Sequence, residues 1–383
     1  MRLLLGLLGV GIIGALGWFL AHIIPAAGTF VSLEPTLVDR CRRVEIAPGT
    51  EDVTIAPELN AAFISAADRR GWYNETGTTG VNPDNGIYLM SLDGSNAVRR
   101  VSPPMDNFLP HGINLWRGAN GEMRLFVVNH PPSGDEVIEI FDVDENGDLT
   151  HLESISFDAM HSPNDVVAVG PRQFYATNDR GYEEGLLSVL EAYMALPFSS
   201  LVYYDGEVGK VITKGLTYAN GINQSADGST IYVAEFLKRR ISIFDRNLET
   251  GELTKTKSIH VNTGPDNIEV AADGSLWIGG HSKIFDFLAH AKDASKISPS
   301  HVVRLNPRNG LQSDVFISTN GEINGSSVGA VWDQTLIVGA VFDGHVMVCP
   351  MLDIFLTRHA IVYCITINLL LFFFALRDAS PSS

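Results

Sequence analysis

The sequence predicts an all-β fold, a six-bladed β-propeller closed by a disulfide, with a hydrophobic N-terminal helix and one short lid helix. Three observations carry this expectation. Six strand-like runs, AAFIS at Ala61, LFVVN at Leu125, FYATN at Phe174, IYVAE at Ile231, LWIGG at Leu276 and LIVGA at Leu336, recur at intervals of about 45 to 64 residues. A period of that length, with β-branched and aromatic residues in each copy, is the signature of repeated sheets around an axis. Most copies are followed by a second strand ending in a charged turn, as in VIEIFDVDENGD and ISIFDRNLETGE, so one repeat has the content of one antiparallel blade.

Composition agrees. A chain of 383 residues that is 45% apolar and 19% charged can bury one large β core. Turn-sized clusters such as NPDNG and PPSGD punctuate hairpins rather than separate domains, so residues 35–349 read as a single propeller. The formal net charge of −17, with no stripe of Lys and Arg, argues against a nucleic-acid partner. Part of that acidity is available to hold cations.

At the N-terminus, Arg2 precedes an uncharged apolar run from Leu3 to Pro25, so residues 1–25 read as a signal peptide or an uncleaved signal anchor. Both place the globular part in the secretory pathway, extracellular or lumenal. Asn74 and Asn324 stand in sequons consistent with that route, and Asn223 in a third that lies close to the candidate site. Residues 350–383 form a hydrophobic tail with an apolar stretch from Ala360 to Leu376, read as a second anchor, a packed tail or a segment foreign to the mature domain.

Cys41 and Cys349 bracket the six repeats, and Cys364 lies in the tail. A bond between the first two would lock the ring, with a stabilisation on the order of 4 to 5 kcal/mol in the loop-entropy account. Two separate buried thiols are the alternative.

The chemistry lies just upstream of the repeated strands. PHGI at Pro110, PNDV at Pro163, ANGI at Ala219 and PDNI at Pro265 each begin about 11 to 15 residues before their strand, so they mark one place in successive blades. Equivalent places converge on the central channel. Asn164, Asn220, Asp266 and Asn267 are therefore candidates to meet at one ion, and their hard oxygens suit Ca²⁺ rather than zinc. Glu51 and Asp52 open the first repeat in the same relation. Alternation along an extended chain turns Glu51 to that cluster and Asp52 away from it, with Asp165 alternating likewise beside Asn164. Two acidic pairs facing two ways suggest two metal sites. Taken singly, each Asn or Asp reads equally as a turn residue.

His111 follows Pro110, and His130 ends LFVVNH in the same repeat, a separation that lets one ring orient the other as a general base. Asp179, in FYATND, is a candidate to hold a ring or a metal-bound water, and His281 to line the cavity wall. Neither a GxSxG elbow, a P-loop, GxGxxG nor HExxH occurs, which leaves metal-assisted attack of water as the natural chemistry.

Over residues 41–349 the chain resembles the serum paraoxonase/arylesterase family, through GTEDVTI, LPHGINLW, LFVVNHP, PNDVVAVG, FYATND, ANGINQS and PDNIEV in order. The resemblance implies a calcium-dependent lactonase and arylesterase on a six-bladed propeller, with two Ca²⁺ ions. It implies a catalytic calcium held by Glu51, Asn164, Asn220, Asp266 and Asn267, and a structural calcium held by Asp52, Asp165 and the Ile113 carbonyl. His111 and His130 match a histidine dyad, and Cys41 with Cys349 a closing disulfide. A lipid or membrane surface is the implied partner of the hydrophobic N-terminus, and a small ester or lactone the implied substrate. Gly280 stands where some members carry a free cysteine, and RRGWYNETGTTG departs from the family pattern, which leaves Trp72 and Tyr73 as substrate-facing or rim residues. The segment 183–196 is helix-like, with Leu186, Leu187, Leu190, Tyr193 and Met194 on one spacing, and reads as a lid or as an ordinary packed helix. Alternatives to the hydrolase are a gluconolactonase-like or strictosidine-synthase-like enzyme on the same fold, and a non-catalytic calcium-stabilised propeller that binds a hydrophobic ligand.

Overall fold

Six four-stranded antiparallel sheets surround a central axis in the computed structural model, which describes residues 9, 11, 13–14, 16–73, 82–132, 134–183 and 185–351. Each of the six repeated runs is the second strand of its sheet: Ala61–Ala66, Met123–Asn129, Phe174–Asn178, Thr230–Glu235, Leu276–Gly280 and Thr335–Ala340. These strands are buried nearly throughout, which explains why they are apolar on both faces rather than alternating. Contacts between successive sheets fill the core with Phe63, Phe126, Phe141, Phe174, Tyr175, Phe244 and Phe316.

The first strand of each sheet lines the axis: Thr50–Ala56, Pro110–Arg117, Pro163–Ala168, Ala219–Gln224, Pro265–Val270 and Ser326–Trp332. The polar elements singled out in the sequence sit at their starts. The outer strands are exposed and charged, as in Leu253–His260.

The sixth sheet joins the two ends of the chain. Arg42–Glu45 pairs with His345–Pro350, from Arg42 opposite Val348 to Glu45 opposite His345. One residue before that strand, Cys41 forms a disulfide with Cys349 across 308 positions of sequence. The expected closure is thus present in both backbone and covalent form, and the reading of two separate thiols falls.

Three helices emerge at one mouth of the channel. Arg69–Tyr73 follows Ala66, which pairs with Thr50; Gly185–Met194 follows Asn178, which pairs with Pro163; and Ile284–Lys292 follows Gly280, which pairs with Pro265. The 183–196 segment is therefore a ten-residue helix at the mouth where the inner strands begin. Its stripe faces solvent: Leu186, Leu187, Val189, Leu190 and Tyr193 are exposed, whereas Glu191 is buried and accepts the Gly181 and Tyr182 N–H groups.

The N-terminal run is helical through residues 16–26, and Trp18 donates its indole N–H to the Met194 carbonyl. Among the described residues no helix is long and apolar enough to cross a membrane. Asn74, the side chains of Trp72 and Tyr73, Cys364 and the tail beyond Met351 lie outside the described residues.

Candidate active site at the mouth of the channel

Every inner strand slips register where its polar element stands: between Thr50 and Asp52, Pro110 and Ile113, Pro163 and Val166, Ala219 and Ile222, Pro265 and Ile268, and Ser326 and Val328. A bulge releases backbone groups from the ladder and re-aims side chains. Six bulges at one height therefore turn a ring of polar groups toward the axis.

Close approach across the ring requires small residues at two of these bulges. A Cβ on Gly112 would lie 2.3 Å from an Asp165 carboxylate oxygen, and one on Gly221 would lie 2.4 Å from the Asp266 carbonyl. The glycines of PHGI and ANGI thus make room for the acidic and amide residues of the next blade.

Hydrogen bonds stitch the blades through these same positions. Asp52 accepts the Ile113 N–H at 2.7 Å, and Asp165 accepts the Ile222 N–H at 2.7 Å. The Asn267 amide donates to Glu51 Oε1 at 2.8 Å, and Ser327 donates to the Glu51 carbonyl. Asp266 Oδ2 meets His281 Nε2 at 2.8 Å. Glu51, Asn267, Asp266 and His281 thus form one connected group, with Asn164 and Asn220 on neighbouring inner strands at the same register break.

The donor set fits a cation on a direct observation. Glu51 Oε2, Asn164 Oδ1, Asn220 Oδ1 and Asn267 Oδ1 are buried oxygens with no hydrogen-bond partner among the described residues. A buried acceptor left unpaired costs about 1–3 kcal/mol, and natural structures rarely leave one without a reason. Four in one ring, all hard oxygens, are what a Ca²⁺ ion satisfies.

The electrostatics point the same way. Burial, and next the charge of Asp165, push Asp52 well above the usual carboxylate range. Burial likewise raises Asp165, with Glu51 and Glu269 adding to it against the N–H bonds from Ile222 and Val166. Burial raises Asp266 too, against the pull of His281. Glu51 goes the other way: burial opposes its charge, yet His111 in its protonated form, Arg69 and the Asn267 amide outweigh it and hold the carboxyl at about 2. A depressed carboxyl contributes stability above its ordinary value, and that contribution is lost as pH falls through about 2. An anionic Glu51 beside carboxyls crowded by like charge is a cation's environment.

Asp52 and Asp165 each spend both oxygens on backbone N–H groups, from Val53 and Ile113 and from Val166 and Ile222. Their second lone pairs are what a further ion would use, so the donor chemistry of this pair also fits calcium.

The two histidines meet beside this ring. His111 Nδ1 lies 2.7 Å from His130 Nε2, and His111 Nε2 lies 3.5 Å from Glu51 Oε1. His111 keeps 19% of its side chain open to solvent.

Other expected residues stand differently. The Asp179 carboxylate is buried and engaged by Arg180 through both oxygens, at 2.8 and 3.0 Å. His281 stacks on Phe287 at 3.8 Å between centroids, with Phe236 at its edge and Phe342 beyond Phe287, an apolar wall next to Asp266. Asn324 is half-buried, its amide donating to Asp343, and Asn223 is buried, its amide donating to the Ile268 carbonyl.

Two residues of the site escaped the sequence reading. Arg69 is buried and donates to the Gly49 and Pro110 carbonyls, bracing both inner strands that carry Glu51 and His111. Glu136 holds His130 Nδ1 at 2.6 Å. Its signal was the hairpin-sized gap after His130 in VVNHPPSGDEV, which returns a carboxylate to the ring.

A family model described as Arylesterase matches residues 32–351. Serum paraoxonase/arylesterase 2 of Gallus gallus is 33% identical over 326 residues, which span 81% of this chain and 88% of that protein. Serum paraoxonase/arylesterase 1 of Homo sapiens is 32% identical over 325 residues, with the same shares of each chain. Among solved structures, a luciferin-regenerating enzyme superposes with a TM-score of 0.52 at 14% identity, covering 81% of this chain and 95% of its own. A putative gluconolactonase superposes with a TM-score of 0.51 at 16% identity, covering 81% and 91%. At such identities the solved structures speak for the propeller alone.

Proposed function

The chain belongs to the serum paraoxonase/arylesterase family and is an ester hydrolase, and on that premise we propose that it cleaves aryl esters and lactones by calcium-assisted attack of water at the channel mouth. The observation that carries this reading is the ring of four orphaned oxygens, on Glu51, Asn164, Asn220 and Asn267, directly beside the His111–His130 pair.

Glu51, Asn164, Asn220, Asp266 and Asn267 would hold the catalytic calcium, and Asp52, Asp165 and the Ile113 carbonyl a structural one. A bound Ca²⁺ supplies electrostatic stabilisation for the oxyanion that develops on the ester carbonyl. His111 takes a proton from the attacking water as its oxygen bonds to the acyl carbon, and returns that proton to the departing alkoxide or phenoxide. In a lactone the departing oxygen remains on the product, a hydroxy acid. The wall of His281, Phe287 and Phe342 suits an apolar or aromatic substrate group.

Leu186, Leu187, Val189, Leu190 and Tyr193, exposed on one short helix at the same mouth, support docking of that mouth on a lipid surface, with the helical N-terminus packed beside it. The closing disulfide and the apolar N-terminal run support the secretory pathway as its compartment.

A substrate panel tests this reading. Phenyl acetate and alkyl-substituted lactones are expected to turn over in calcium buffer, with gluconolactone a poorer substrate. Turnover of gluconolactone alone would place the chain with the sugar lactonases, and binding of apolar esters without turnover would make it a binding protein.

A further inference from the structure

We propose that Glu136 is a positioning residue that sets the tautomers of both histidines, so that His111 presents a bare Nε2 to the channel mouth. For its kinetic consequence this rests on the function proposed above.

The geometry begins with a hairpin. Strand Met123–Asn129 pairs with Val137–Val143, and Asn129 faces Val137 in the last pair of that ladder. One step beyond stand His130 and Glu136, cross-strand neighbours, with Nδ1 of the ring 2.6 Å from Oε2 of the carboxylate. A carboxylate only accepts, so Nδ1 of His130 must carry a proton.

The consequence runs along the chain of rings. Burial pushes the His130 imidazole below the usual histidine value, against the raising effect of Glu136, so the ring is neutral near pH 7. A neutral imidazole protonated at Nδ1 has a lone pair at Nε2. That lone pair is 2.7 Å from His111 Nδ1, which must therefore donate. His111, protonated at Nδ1, is left with a lone pair at Nε2, on the side of the ring that looks toward Glu51. One carboxylate thus decides, across two rings, which nitrogen is basic, the outer-partner effect by which a hydrogen bond at one imidazole nitrogen fixes the chemistry of the other.

The base of this relay is itself held. His130 N–H donates to the Leu109 carbonyl, and Leu109 N–H to the Asn129 side chain, whose amide donates to Glu139. These bonds fix the segment before His111 against the strand end before His130. Glu136 is 31% exposed, so its replacement leaves no core cavity.

When His111 takes the proton of water at Nε2 it becomes an imidazolium whose Nδ1–H remains on His130. The Glu136 carboxylate then stabilises that charge through the second ring, with no further proton required to move. Without Glu136, His130 is free to carry its proton on Nε2 and donate to His111 Nδ1, which puts a proton on His111 Nε2 and removes the base.

The test uses the full-length protein labelled with ¹⁵N-histidine, with His111 and His130 assigned from His111→Gln and His130→Gln spectra. Long-range ¹H–¹⁵N correlations, recorded calcium-free and calcium-loaded, are expected to show both wild-type rings protonated at Nδ1. Glu136→Ala is expected to move both toward the Nε2–H form and to lower kcat on a lactone roughly ten- to hundredfold with KM little changed. Glu136→Gln, whose amide oxygen still accepts, is expected to retain the wild-type tautomers and more of the rate. A wild-type His130 protonated at Nε2, or tautomers unmoved by Glu136→Ala, would overturn the proposal whatever happens to the rate. Absence of ester or lactone turnover in the wild type, with the tautomers shifting as described, would instead overturn the proposed function and leave the role of Glu136 standing.

Discussion

Asn267 shows how much one side chain is asked to do at this site. Its amide donates to Glu51 and its oxygen is one of the four left unpaired toward the ring. Asn267→Ala removes a proposed calcium ligand and the amide that donates to the buried Glu51 carboxylate at once. Turnover is expected to fall by about 10²–10³, the cost of losing one preorganised electrostatic contact, and the calcium needed for half-activity to rise. Titration of activity against calcium checks this; a variant with wild-type rate and calcium dependence would remove Asn267 from the site. The shared place of Glu51, Asn164, Asn220 and Asp266 at the starts of the inner strands was legible from phase alone, because each stands at a similar distance before a repeated strand. Glu136 and Arg69 were not. Their partners are set by a hairpin return and by a side chain reaching across blades, neither of which leaves a period in the sequence.

At the scale of the element, the blade is stable where its polar groups are paired and its inner edge is free. Glu235 ends the second strand of the fourth blade fully buried, and accepts from Arg240, Ser242, Lys255 and the Thr217 N–H. Burial opposes its charge, but those donors hold its carboxyl below the ordinary value of 4.5. A depressed carboxyl stabilises the fold above its unfolded value, and the contribution disappears as pH falls through the lower folded value. Glu235→Gln is therefore expected to cost about 1–3 kcal/mol at neutral pH, with the gap to wild type closing in acid. Urea unfolding at neutral pH and below the carboxyl's ordinary value reads this; a constant gap would assign the loss to packing. The six second strands were readable because burial on both faces makes them uniformly apolar. The bulges that aim the inner strands were not, since a register slip depends on the neighbouring strand. For the mouth helix the spacing of Leu186, Leu190 and Tyr193 gave its existence, but the face it buries is the one with Glu191.

The whole molecule is a ring whose ends are locked and whose centre is charged. Arg42–Glu45 enters the last blade, and Cys41–Cys349 fastens it there, so blades cannot part without breaking strand pairing and a covalent bond. The locked ring brings Glu51, Asp52, Asp165 and Asp266 together at the axis, a concentration of buried acid that favours the cations proposed there. On the proposed calcium reading, fold and chemistry depend on the same ions. The most direct measurement is hydrolysis of an aryl ester and a lactone, with thermal unfolding in parallel, before and after chelation by EDTA and after return of Ca²⁺. Chelation is expected to abolish both activities and lower the melting temperature, and restored calcium to recover them; full turnover in excess chelator would contradict a calcium site at the mouth of this channel.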